Sequence, residues 1–152
     1  MSGSKDNGEK MMWWMNHVLN PLMRWILSGP LHGWMDKGVM LISFQGRKSK
    51  KFYTTPVQYV QAGQEIWVTV GMPEKKRWWW NLVGGGLVNV CLRGEWLSGD
   101  ALVLRGEADR EEIRRGLSEK LKQFPQSAHY LPDPQKSDFM VGDVVMVKVT
   151  LH

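Results

Sequence analysis

A series of short β-forming segments, separated by glycine-bearing turns and broken once by an amphipathic helix, leaves this chain few folds to choose from. Val39 to Phe44 is an apolar run, ended by the turn residues Gln45-Gly46-Arg47-Lys48-Ser49. Tyr53 to Val60 alternates and is rich in β-formers, and Ala62-Gly63-Gln64 closes a hairpin into Glu65 to Val70. Lys75 to Val83 reads as a short helix ended by Gly84-Gly85-Gly86. Val88 to Leu92 and Glu95 to Leu104 pair as a second hairpin over Arg93-Gly94. Asp109 to Phe124 sets Ile113, Leu117, Leu121 and Phe124 on one helical face, with charges elsewhere. Pro125 to Asp138 is loop, and Val144 to Leu151 alternates as a last strand. Meander, helix and final strand spell a mainly β fold: a small antiparallel barrel with helices on its outside.

A chain of 152 residues suits one core of this kind. The division expected is a disordered N-terminus over 1–10, an amphipathic helical segment over 11–35 and the barrel domain over 36–152. Pro21 breaks the helical segment, with Asn20 as cap and Pro21 at the first position of its second half. Asn, His, Pro and Arg interrupt it too often for a bilayer span. It can pack its apolar face on the barrel, or lie peripherally in a membrane interface through residues 11–28. The polar start lacks a signal-peptide pattern, which points to the cytoplasm, with the inner membrane face as the place for any peripheral contact. The single Cys91 excludes an internal disulfide and reads as a core thiol.

The net charge of +5 is concentrated in two places. Arg47-Lys48-Ser49-Lys50-Lys51 precedes Thr54-Thr55-Pro56, and Lys75-Lys76-Arg77 runs into Trp78-Trp79-Trp80-Asn81. Cations with hydroxyls supply charge-assisted hydrogen bonds to phosphate or carboxylate oxygens. An indole offers a flat wall for a ring. Together they suit a ligand with a planar ring and an anionic tail. In an arbitrary protein such a basic run is a solvated loop, and Asn81 a helix cap or turn residue. Three consecutive indoles cannot all face a core, so at least one is core and at least one lines a cavity. Gly84 to Gly86 ends a helix better than it makes a phosphate loop. There is no paired-carboxylate motif, nucleophile elbow or metal spacing, and no nucleic-acid signature.

The order Gly46-Arg47-Lys48-Ser49, Thr55-Pro56-Val57-x-Tyr59, Trp78-Trp79-x-Asn81-Leu82, Gly84-Gly85 and Val88-x-Val90-x-Leu92-Arg93-Gly94 resembles the deazaflavin (F420)-dependent nitroreductase and quinone reductase family. The resemblance covers roughly residues 16 to 105. It implies the split β-barrel of the flavin-mononucleotide (FMN) binding superfamily, and an enzyme that passes a hydride from reduced F420 to a quinone, nitroaromatic or activated alkene. Carried over by position, Arg47, Lys48, Ser49, Pro56, Trp78 and Asn81 surround the cofactor. Thr55 joins them as a donor, and Lys75, Lys76 and Arg77 as charge for the tail. The family usually has Gly where Lys50 stands, and many members carry Arg where Tyr53 stands. Tyr130 is the counterpart of the aromatic hydroxyls near the substrate, so it is the catalytic candidate. Trp14 and Trp25, with Trp13, Met15 and His129, are candidates for the substrate side. FMN is the alternative cofactor. A module binding a lipid or haem-like ligand without catalysis is the alternative from another class. Monomer and homodimer both stay open.

Overall fold

The computed structural model describes residues 38–152. Strands β1 (Val39–Gln45), β2 (Phe52–Gln58), β3 (Val60–Ala62), β4 (Glu65–Thr69), β5 (Gly86–Leu92) and β6 (Glu95–Arg105) precede helix α1 (Arg110–Gln123) and the last strand β7 (Val145–Leu151). All seven strands form one antiparallel sheet in the order β2-β1-β5-β6-β7-β4-β3. This is the split-barrel architecture expected from the chain.

Alternation decides which side of the curled sheet each residue faces. On β7, Val145, Val147, Val149 and Leu151 join Ile42, Ile66, Val68 and Val90 in the barrel interior. Met146 points the other way, into a second core under α1 with Trp67, Ile113 and Leu117. The β5–β6 turn is as predicted: Arg93 (φ 50°) and Gly94 (φ 86°) both take the left-handed conformation that a two-residue hairpin needs. The segment Tyr53 to Val60 is not one strand. It breaks at Tyr59, whose N–H donates to the Gly38 carbonyl at 2.9 Å, one step past the Val39–Gln58 pair, before β3 turns to pair with β4. Lys75 to Val83 is not one helix. It forms two 3-10 turns, Pro73–Lys75 and Trp78–Leu82, separated by an extended Lys76.

Among the described residues the barrel does not close. β3 pairs with β4 only from Glu65 to Trp67, so Val68 and Thr69 are laddered to β7 alone. β2 is the opposite end strand of the sheet, and it approaches β4 across this gap. Pro56 sits in β2, where a missing N–H is tolerated because the strand is an edge.

Helix α1 covers the second core, but its buried stripe differs from the expected one. Ile113 and Leu117 are buried as predicted, with Gly116 and Lys120 beside them, whereas Leu121 and Phe124 are only partly so. Charges therefore do not all lie elsewhere. Lys120 is three residues beyond Leu117 and shares its face. Gly116 lets the helix approach closely, since a Cβ there would lie 2.5 Å from Trp67 Cδ1 and 2.8 Å from Met146 Cε. Polar contacts fasten the helix to the sheet: Lys148 Nζ meets Glu112 at 2.9 Å and Glu65 at 3.4 Å, and Arg115 meets Glu65 at 2.8 Å. The Lys148 hydrogen bond holds the Glu112 carboxyl below its ordinary range.

Gly116→Ala sets helix propensity against packing. The gain is about 1 kcal/mol, and overpacking typically costs about 1–3 kcal/mol. Net destabilisation is expected in urea unfolding; a midpoint at or above wild type would contradict the close approach.

Candidate functional site

Where the barrel stays open, a slit of about 560 Å3 separates β2 from β4. Thr55, Pro56, Val57 and Gln58 form one wall, Val68 to Gly71 the other, and Lys75, Lys76, Arg77 and Trp78 the lip. The three lip cations are exposed, and none pairs with a carboxylate among the described residues. Thr69 Oγ1 is buried and has no hydrogen-bond partner there.

The 3-10 geometry of Trp78–Leu82 sorts the three indoles, because about three residues per turn sends them in different directions. Trp79 is core, 3% exposed, its indole N–H donating to the Pro73 carbonyl at 3.1 Å. Trp80 is 49% exposed and stacks on Trp79 at 4.4 Å, with the Arg105 guanidinium over both rings. Trp78 is the indole on the slit, half-buried, with its ring centroid 6.0 Å from Phe44.

The first basic turn is joined to this segment without lining the slit. Asn81 Oδ1 accepts from the Arg47 N–H at 2.9 Å, and Asn81 Nδ2 donates to the Trp78 carbonyl at 3.0 Å. The Arg47 guanidinium donates to the Val83 carbonyl. Arg47 and Asn81 thus clamp the β1–β2 turn to the turn that carries Trp78. Lys48 and Ser49 stay exposed beside this clamp. Roughly 13 Å of extended strand, at about 3.3 Å per residue, separates Lys51 from Thr55.

The two departures from the family pattern, Lys50 and Tyr53, lie in and beside this turn. Lys50 adopts φ 61°, the conformation a Gly would take, and its N–H donates to the Gly46 carbonyl at 3.0 Å. Tyr53 packs on Phe44, and its hydroxyl lies 3.1 Å from Ser49 Oγ.

A second cleft of about 570 Å3 adjoins the slit and shares Gln58, Thr69, Val70 and Gly71 with it. Tyr130 lines this second cleft, largely exposed, its hydroxyl 3.1 Å from Ser127 Oγ. Lys120 lines it too, and sequence reasoning missed it; the available signal was its place on the Ile113–Leu117 face. Burial lowers the Lys120 pKa. His129 is exposed and lines neither cleft. Trp13, Trp14, Met15 and Trp25 lie outside the described residues, as does the segment 11–28. Cys91 is buried on β5, and desolvation, opposed by a hydrogen bond from the Gly94 backbone, pushes its thiol up to about 11. That makes it a poor nucleophile. Among the described residues no metal-ligand cluster occurs, and no helix is long and apolar enough to cross a membrane.

Residues 27–138 match the model of the F420H(2)-dependent quinone reductase family. The chain belongs to this family. It is therefore an F420-dependent reductase, and coenzyme F420 is its cofactor. Comparison with curated protein sequences gave no match. Solved structures share the fold. An F420-H2 dependent reductase, FDR-A, is 19% identical over 74% of this chain and 93% of its own, with TM-score 0.54. A domain-swapped dimer is 20% identical over 88% and 97%, with TM-score 0.56. The haem storage protein HutZ from Vibrio cholerae is 13% identical over 80% and 87%, with TM-score 0.52. The slit's chemistry fits the family's cofactor: cations free of carboxylate partners among the described residues suit an anionic tail, and an indole suits the ring.

The clamp is open to test. Asn81→Ala deletes two hydrogen bonds at about 1 kcal/mol each, so unfolding is expected to be easier by roughly 1–2 kcal/mol. An unchanged urea midpoint would mean the clamp carries no weight.

Proposed function

We propose that the protein holds reduced F420 along the slit between β2 and β4 and reduces a quinone, with nitroaromatics and activated alkenes as further acceptors. The observation that carries this reading is the unpaired cationic lip beside half-buried Trp78 at an open barrel seam. When bound, the cofactor supplies a hydride. The protein has to orient it and exclude water, which asks little of acid–base groups.

In this reading Trp78 walls the ring, and Thr55 and Thr69 offer hydroxyls along it. Pro56 and Val57 add apolar wall. Lys75, Lys76 and Arg77 hold phosphate and carboxylate oxygens, and the tail runs along β2 toward Lys48 and Ser49. Arg47 and Asn81 act as positioning residues, since their own hydrogen bonds fix the turn. Tyr130 donates to the acceptor oxygen as negative charge develops. Trp14 and Trp25 are proposed to complete the acceptor side, with the segment 11–28 bringing a lipophilic acceptor from a membrane surface. The likeness to a domain-swapped dimer supports a homodimer.

Tryptophan fluorescence tests the reading, titrated with F420 and, in parallel, with FMN. Saturable quenching by F420, tighter than by FMN, is expected. Neutralising Lys75, Lys76 and Arg77 together removes contacts worth up to about 1 kcal/mol each, so affinity should fall roughly tenfold or more. The loss should be larger at low salt than at about 1 M salt. Lys48→Ala should show a smaller loss of the same salt sense. Absence of saturable quenching by F420 would end this reading.

A further inference from the structure

Lys120 is the one charged residue among the described ones that the fold buries, at 4% exposure. Among the described residues no carboxylate pairs with it. Its ammonium donates to Gln58 Oε1 and lies 4.7 Å from the Phe124 ring centroid. A neutral amide and a ring face compensate only part of the several kcal/mol that burying an ammonium costs. A purely structural position on this face, between Leu117 and Phe124, would be better filled by Leu or Met.

The buried cation belongs to the wall of the second cleft. That cleft has the size of a small-molecule site. Met72, Tyr130, Leu131, Pro132 and Met140 give it a largely apolar lining, with the adaptable Met72 and Met140 exposed. Among the described residues Asp143 is the other charged one on the lining, and it makes no ion pair with Lys120. Gln58 belongs to both clefts and also holds the Lys120 ammonium, so whatever occupies the second cleft adjoins the slit.

From this placement we infer that the second cleft is the acceptor pocket, and that Lys120 Nζ binds and protonates the oxygen of a flat, apolar, carbonyl-bearing acceptor of the quinone class. The inference rests on the slit being the cofactor site. The acceptor takes a hydride, two electrons and one hydrogen nucleus, from the reduced deazaflavin, which is thereby oxidised. The acceptor is reduced to a hydroquinone monoanion. An O–H bond then forms as an N–H bond of the Lys120 ammonium breaks, giving the neutral hydroquinone. Water at the open mouth returns a proton to the amine. The lowered Lys120 pKa eases that proton loss.

A hydroxynaphthoquinone anion is a stable mimic of the charged, reduced acceptor. Its binding to the full-length chain without F420 is read from its visible absorption band. Lys120→Met is expected to weaken this binding roughly tenfold or more, as loss of a desolvated charge partner should. Affinity for F420, read by fluorescence, should stay within about twofold, with the thermal midpoint equal or raised. In the unmutated protein, the Lys120 ammonium resonance should shift on adding the probe, while those of Lys75 and Lys76 stay put. This arm does not depend on the variant folding. Unchanged probe binding in Lys120→Met, or an unmoved Lys120 resonance, would overturn the inference. Equal loss of F420 and probe affinity would also overturn it, by assigning Lys120 to the cofactor. Lys120-dependent probe binding in a protein that fails to bind F420 would uphold the cleft and reject the slit.

Discussion

Strands β2 and β4 face each other across a seam that no hydrogen-bond ladder crosses, and the site is built around that gap. β3 is too short to cover the far half of β4, and Pro56 marks β2 as an edge. An open edge of this kind invites aggregation unless something covers it. Here the turn carrying Lys75, Lys76, Arg77 and Trp78 lies over the opening and converts it into a slit. The Asn81 amide, with Arg47, holds that turn against the β1–β2 hairpin. Interior packing of Trp79 anchors it from beneath.

Much of this was legible in the sequence because local chemistry dictated it. Arg93-Gly94 announced a tight hairpin, the alternation from Val145 to Leu151 announced a strand with one face in the barrel, and Ile113 and Leu117 announced the packed side of α1. What stayed hidden depended on distant partners. Nothing near Arg47 says that its guanidinium will be used by Val83, or that Asn81 will spend both ends of its amide on the protein. The two basic clusters looked alike as text, yet only the second borders the slit. Lys120 was assigned to solvent because lysine usually is; Gly116 and the close helix approach place it inside. Where the family usually has Gly, Lys50 takes a left-handed conformation, with its N–H donating to the Gly46 carbonyl.

The chemistry follows from a division of labour. Hydride transfer is supplied by the cofactor, so a fold with no triad and no metal cluster among its described residues lacks nothing for it. The demands left to the protein are charge at one end, a flat wall at the other and a neighbouring place for the acceptor. The two adjoining clefts share Gln58 and Thr69, so occupants of the proposed cofactor and acceptor sites would be neighbours. Cys91, buried with its thiol pushed to about 11, contributes packing and not reactivity.

Hydrogen–deuterium exchange with and without saturating F420 tests the central claim most directly, because open strand edges exchange until a ligand covers them. Protection is predicted in segments 52–58 and 68–78, the two walls and lip of the slit, with little change over Arg110–Gln123. Saturable binding that protects other regions and leaves both walls unchanged would contradict a cofactor seated at the barrel seam.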